Sequence, residues 1–581
     1  MRKYFLITLL LIAGIFLAYS ETDYGALFDN VESGDSTLDD SGITNGLSDF
    51  SPIPDFKLSL YGDHKFDFHI PVIPDHMNFE GAIKAPKFLN EFGLEINYKE
   101  IKLKSVGKFD VVLNDFGSWD RVLNIKPLEN YVSWSPWKIK LAAGLQFFSW
   151  GTADGVNPTD NINPRDYAVG ANSDKIPILS AAFSMYPVDF FSFDVVYVPF
   201  EQNDIFPRDI KAEIPDELFY GRSLDNTSDA VNYLLTNAVA IQTGTITNAD
   251  IAKEFTKYMG SSPNAKNVDI AKFEFEPKNF TIGGKANFRF PKVDFSFSYL
   301  YDFDPYYTPE LTLTKEKIQN TGTTYYQNVP SPPYPAPVIP VAIPESYFWR
   351  VSEIKLVRNR IHRIGTDVKA SIDRFGLWGE FCFNLAEDYF SNRYTKRNHK
   401  ISYVAGMDFS YGPNDDFYFN FQYFGEVYLN YDLAFYDDYE DGMPDSSKVG
   451  DRSYMKRFYY RAMVEKLGEV NEGLLQGISL KMKWPVLDNL LTPSLAASYI
   501  LPLVYDYDEE KRYGSLYFNT ELDIMPIDSF HIIIGTDLYF SWIQKKDQAV
   551  ELSLTDKIGT YHKDSNIYIA MKYKWGIDYK K

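Results

Sequence analysis

Residues 55–581 are predicted to form an all-β chain: a transmembrane antiparallel β-barrel of about 16 strands (14–18), with long extracellular loops. Three features lead there. Apolar and polar residues alternate with period two along segments of about ten residues, the length of a tilted membrane-crossing strand. Phe and Tyr recur toward both ends of these segments, and aromatic residues make up 17% of a chain whose hydrophobic fraction, 45%, is ordinary. An export signal precedes them all.

That signal is the first element. Arg2 and Lys3 stand before an apolar run from Tyr4 to Leu17, and Ala18-Tyr19-Ser20 puts small residues where a signal peptidase reads. Residues 1–20 are therefore expected to be cleaved. No cysteine stands directly after the cleavage site, which speaks against a lipid anchor, and Cys382 is the sole cysteine, which excludes an internal disulfide. Beyond residue 20 no apolar run approaches the roughly 18 residues of a spanning helix. Residues 21–54 are acidic and rich in Ser and Gly, with little to bury. They read as a flexible periplasmic arm, with a plug for the pore as the alternative.

The strands come next. In "SLYFNTELDI", Leu516, Phe518, Thr520, Leu522 and Ile524 share one face, and Ser515, Tyr517, Asn519, Glu521 and Asp523 share the other. "VDFSFSYLYDFD", "FYFNFQYFGEVYLN", "RIGTDVKASID" and "NIYIAMKYKWG" repeat the pattern. A soluble sandwich also alternates, but its strands average about 5 to 6 residues and lack aromatic ends. From Trp137 onward, short connections near 186–189, 291–292, 373–375, 412–415, 487–490 and 526–529 alternate with mostly longer ones. This gives fourteen strands, and a pair within 91–116 makes sixteen, with both termini periplasmic. The last strand is read to end at Trp575, leaving "GIDYKK" trailing.

Three loops stand out. Residues 200–278 hold two stretches of helical spacing, "DAVNYLLTNAV" and "NADIAKEFTKYM", and suggest an extracellular cap. Within 304–348, "YYQNVPSPPYPAPVIPVAIP" reads as a stiff polyproline-like strap. The loop 149–176 is polar, rich in Gly, Asn and Pro, and long enough to fold inward across a pore. Trp150, Asp154, Asp160, Asn163, Arg165 and Asp166 would then form a constriction, its charges meeting those of the wall. The alternatives are a rim loop tied down by its own Asx-turns and a metal site.

Gly144, Gln146, Trp150-Gly151, Asp154, Asn163-Pro164 and Asp166 resemble the "G-x-Q … W-G … N-P-x-D" signature of a bacterial outer-membrane barrel family. That porin-like family is known chiefly as a domain of unknown function and is sometimes associated with export of hydrophobic compounds. "RIGTDVKASIDRFGLWGEFCF", with Gly365 and Glu380, is similar to its central hairpin. The resemblance implies a barrel in the outer membrane and carries over no catalytic residue.

Parity places Lys285, Arg289, Asp294, Arg363, Asp367, Lys369, Asp373, Glu380, Glu426, Glu521, Asp523, Lys572 and Lys574 in the lumen. Cys382 shares their side. Buried charges of both signs must face water or one another. The formal charge of −21 suggests a cation preference if the excess acid lies in the lumen, though much of it sits in loops. Asp437, Asp441 and Asp445 approach a calcium loop, but Tyr439 stands where a ligand is needed, so a solvated acidic loop is preferred. No other cofactor is implied. Neither the seven histidines nor any Ser or Gly motif has catalytic or metal spacing, and no basic stripe suits nucleic acid. Two readings remain. One is a channel whose partners are lipid, small solutes or ions, and a periplasmic or inner-membrane export component. The other is a closed barrel displaying long loops that bind ligands or host factors.

Overall fold

The computed structural model describes residues 56–72, 84–113, 121–167, 174–200, 204–205, 268–270, 279–305, 308–317, 324–328, 338–342, 347–387, 399–412, 417–429, 451–456, 474–501, 511–545, 549–552 and 557–580. Eighteen long strands among them close into one antiparallel barrel. The first nine are β1 (Lys57–Pro71), β2 (Lys84–Tyr98), β3 (Ile101–Leu113), β4 (Arg121–Trp134), β5 (Ile139–Gln146), β6 (Ile178–Val188), β7 (Phe191–Val198), β8 (Thr281–Phe290) and β9 (Val293–Phe303). The others are β10 (Arg360–Ile372), β11 (Phe375–Ala386), β12 (Lys400–Tyr411), β13 (Phe417–Tyr428), β14 (Leu474–Lys483), β15 (Leu491–Ile500), β16 (Lys511–Ile527), β17 (Phe530–Lys545) and β18 (Asn566–Lys580). Each pairs with its neighbour in sequence, and β1 closes the ring against β18, from Lys57 opposite Lys580 to Pro71 opposite Asn566. Closure pairs the edge backbone groups, the condition for a sheet to stand in a medium without hydrogen-bond partners.

From β5 onward, the expected alternation of short turns and longer loops holds. The two strands beyond sixteen are β1 and β4. β1 carries Asp63, His64, Lys65 and Asp67 nearly in succession, which hides its period. β4 contains Pro127, a residue that interior strands normally exclude. It lies where the β3–β4 register slips, and a bulge tolerates a missing N–H. Nor does the last strand stop at Trp575. "GIDYK" pairs residue for residue with β1, and Ile577 and Tyr579 continue the outward face.

The wall is polar inside and apolar outside. On β18, Ile567, Ile569, Met571 and Tyr573 are exposed while Tyr568, Ala570 and Lys572 are buried. β9 exposes Phe297 and Tyr299 and buries Ser296 and Leu300; β10 exposes Ile364 and Val368 and buries Asp367. Near the short-turn rim, Tyr98, Trp134, Phe190, Phe290, Phe375, Tyr411, Trp484 and Tyr579 add exposed aromatic rings, the composition of a girdle at a membrane interface.

Register is pinned by glycine–aromatic pairs across neighbouring strands. Gly93 faces Tyr61, Gly62 faces Trp575, Gly406 faces Trp378, Gly477 faces Phe424, Gly514 faces Trp542 and Gly535 faces Tyr568. In each pair the ring occupies the space that a Cβ on the glycine would need. A one-residue slip would drive ring into side chain.

The long loops between β7 and β8 and between β9 and β10 share a small sheet. Val268–Ile270 and Thr308–Lys317 flank Tyr347–Val357, burying Leu311, Leu313, Val351, Ile354 and Leu356. The proline-rich segment differs from the polyproline expectation: Thr324–Asn328 and Val338–Ala342 pair as an antiparallel ribbon. In a two-stranded ribbon each strand has a free edge, where proline loses no ladder bond. The export signal, the acidic arm and the two stretches of helical spacing in 200–278 lie outside the described residues.

Candidate functional site

The loop between β5 and β6 is held at its neck by three residues. Gly144 takes a φ of 137°, and a Cβ there would strike the backbone of Asn130 and Tyr131. Gln146 Nε2 donates to the Ser180 carbonyl (3.2 Å) and hydroxyl (3.0 Å). Asn163 then ties both arms together. Its Oδ1 accepts the Phe148 N–H (2.7 Å), while Nδ2 donates to the carbonyls of Gln146 (3.0 Å) and Ile176 (2.9 Å).

Above the neck, Trp150 packs with Ile162, Ile178, Val196, Val198 and Leu300 against the β6, β7 and β9 wall. Gly283 leaves room for the indole; a Cβ there would lie 3.1 Å from it. Asp160 accepts the Trp150 N–H at 3.2 Å and pairs with Lys175 (2.6 Å) and Arg165 (3.2 Å). Asp166 lies buried in the two-residue ribbon Arg165–Asp166/Asp174–Lys175. The ion pairs of Asp160 with Arg165 and Lys175 thus stay within the loop, which differs from the expectation that these charges meet the wall. Short Asn and Asp side chains reach their own backbone first.

Two carboxylates do link the loop to the wall. Glu380 of β11 receives four loop donors: the N–H groups of Thr152 (2.5 Å), Ala153 (2.6 Å) and Thr159 (3.2 Å), and the Thr159 hydroxyl (2.9 Å). Asp154 reaches β13, accepting from Asn420 Nδ2 at 2.9 Å and the Tyr418 hydroxyl at 3.3 Å, while Gln422 Nε2 donates to its carbonyl. β13 stands eight positions from β5 in the ring of eighteen, nearly opposite. The loop therefore crosses the lumen. Burial pushes the Asp154 carboxyl upward, opposed chiefly by the Lys481 ammonium.

Beside the neck, Asp204 accepts the Arg165 N–H at 2.7 Å, and Ile205 and Tyr167 exchange backbone bonds with the same stretch. Burial pushes Asp204 up to about 6, against the Arg165 N–H and the Arg358 charge. Asp160, Arg165, Tyr167, Asp204, Asp302 and Arg363 border a cavity of about 90 Å³ here.

A second inward segment has no counterpart in the sequence expectations. The 3-10 turn Lys557–Asp564 lies against the inside of β16 and β17, where Tyr517 stacks on Tyr539 (5.0 Å between centroids) and Tyr539 meets Tyr561 (5.7 Å). The Tyr561 hydroxyl donates to the Tyr167 carbonyl at 2.9 Å, joining the two loops. Aromatic rings at inward positions of polar strands were the available signal.

Several of the charged residues read as lumenal are paired with opposite charges. Lys285 pairs with Asp367 (3.1 Å), Arg363 with Asp302 (3.4 Å), Glu426 with Lys400 (2.7 Å), Asp523 with His531 (2.9 Å) and Lys572 with Asp63 (3.8 Å). Glu521 accepts the Tyr568 hydroxyl at 2.8 Å. Lys574 stands opposite Asp63, and Asp294 opposite both Arg289 and Lys369, toward the short-turn end. Asp373 is a correction: it occupies the β10–β11 turn with a φ of 56° and is exposed, because a two-residue hairpin needs a left-handed residue. Cys382 is buried on the inner face, 3.8 Å from Asn161 Nδ2. Unrecognised strands hid further pairs, among them Lys104 with Glu129 and Lys65 with Asp67 (3.7 Å). Among the described residues no group of three His, Cys, Asp or Glu is placed to hold a metal. Asp437, Asp441 and Asp445 lie outside the described residues.

No protein-family model matches the sequence, and no curated protein does. Solved structures similar in outline include Acinetobacter baumannii OccAB4, with 7% identity, 91% of this chain and 100% of that chain covered, and a TM-score of 0.43. Pseudomonas aeruginosa OccK5 (OpdH) is similar at 10% identity, with 90% and 98% covered and a TM-score of 0.40. The P. aeruginosa outer membrane protein opdK shows 6% identity, with 90% and 99% covered and a TM-score of 0.41. The barrel itself is closed by strand pairing, from β1 round to β18.

Proposed function

We propose that this chain is an outer-membrane channel for small molecules or ions, its passage narrowed by the loop between β5 and β6. The observation that carries the reading is the course of that loop. It leaves one side of a polar lumen and is bonded to β11 and β13 on the other through Glu380, Asn420 and Gln422. A surface loop without a role in the passage has no reason to cross it. The exposed apolar belt supports a lipid setting.

Selectivity follows from the wall. Lys285, Arg363, Lys400 and Lys572 stand beside carboxylates, so these pairs largely cancel at a distance. The preference for cations is therefore weak, despite the net charge of −21. Planar-bilayer recording tests the reading, with the mature protein beside a variant lacking residues 152–166. Steady steps that enlarge in the deletion support the channel; silence in both turns the reading to a plugged barrel that displays its loops.

A further inference from the structure

We propose that Glu380 is the positioning residue of the inward loop, the anchor that holds residues 152–159 against the far wall. The inference deepens the channel reading and depends on it only for the conductance arm of the test. Thr152 and Ala153 donate to Glu380 Oε1, and Thr159 donates twice to Oε2, so one carboxylate grips both ends of the 152–159 segment. Three of the four donors are backbone amides. The grip is therefore indifferent to most loop side chains and specific for an acceptor with two oxygens. Bonds to an ionised carboxylate are shorter and stronger than neutral ones.

Asp154 supplies a second contact, but a smaller one: Asn420, Tyr418 and Gln422 hold only the tip between the two gripped ends. Among the described residues, the amides of Thr152, Ala153 and Thr159 have no other acceptor. Removing the carboxylate would leave three donors without partners, the Thr159 amide buried and those of Thr152 and Ala153 half-buried, and swinging out to water is how the loop would satisfy them. Wall and loop thus exchange carboxylates in both directions, with Glu380 making the larger share of the bonds.

Limited trypsinolysis of the folded full-length barrel tests this, with cleavage after Arg165 or Lys175 reporting loop release. Glu380→Ala should be cut about tenfold faster than wild type, or more, since cleavage follows the population of the released form. Its conductance should rise toward that of the 152–166 deletion. Glu380→Gln keeps the volume but offers one acceptor oxygen, and should fall between. Equal cleavage and conductance in wild type and Glu380→Ala would overturn the anchor. If Glu380→Ala fails to fold, Glu380→Gln decides by the same comparison. Rapid cleavage of Glu380→Ala with silence in wild type and deletion alike would leave the anchor standing and remove the channel.

Discussion

Asp204 joins the neck of the inward loop to pH. Its carboxyl titrates near 6, above the usual 3.8, so the folded loop binds the proton more tightly than an unfolded chain does. The stabilisation is present below about pH 4 and is lost as pH rises through about 6, amounting to about 2 to 3 kcal/mol. Asp204→Asn keeps an acceptor for the Arg165 N–H and removes the titration. Hydrogen exchange at Arg165 and Ile205 should match wild type at pH 4 and be slower in the variant at pH 8; wild-type protection that is flat over this range would refute the linkage. The residues of the loop were largely legible in the sequence. Gly144, Gln146, Trp150, Asp154 and Asn163 each have a structural reason to be where they are. Glu380 was legible as a lumenal carboxylate, but its partners were not, because three of its four donors are backbone amides that carry no residue signature.

Strands were readable where one face stayed apolar for several residues, as from β5 onward. β1 and β4 were not: polar residues interrupt one, and the other bends at Pro127. The glycine–aromatic pairs are also invisible to a periodicity count, since they depend on which residue lies opposite across the ladder. Gly406 illustrates their energetic role. A Cβ there would lie 2.5 Å from the indole of Trp378, which has buried neighbours on the inner wall. Gly406→Ala should cost about 1 to 3 kcal/mol by overpacking, measured as an earlier midpoint in urea unfolding from lipid vesicles. An unchanged midpoint would mean that Trp378 moves freely.

The whole molecule is organised inside out, and the two faces of its wall should respond oppositely to charge. Phe297 is 56% exposed near the middle of β9. Phe297→Arg should destabilise the barrel in a bilayer by roughly 2 to 4 kcal/mol. The same substitution at neighbouring Ser298, on the inner face, should cost less, and equal costs would argue against a lipid-facing belt. Barrel closure also governs how such a chain reaches its native state. The seam joins His64 to the Trp575 indole at 2.9 Å, 511 positions apart in the chain, and no local contact can substitute for it. Until β18 finds β1, the growing sheet has two open edges able to recruit a neighbouring chain. Seam formation is thus the contact with the greatest loop-closure cost, and it is also the contact that removes the sheet's two open edges.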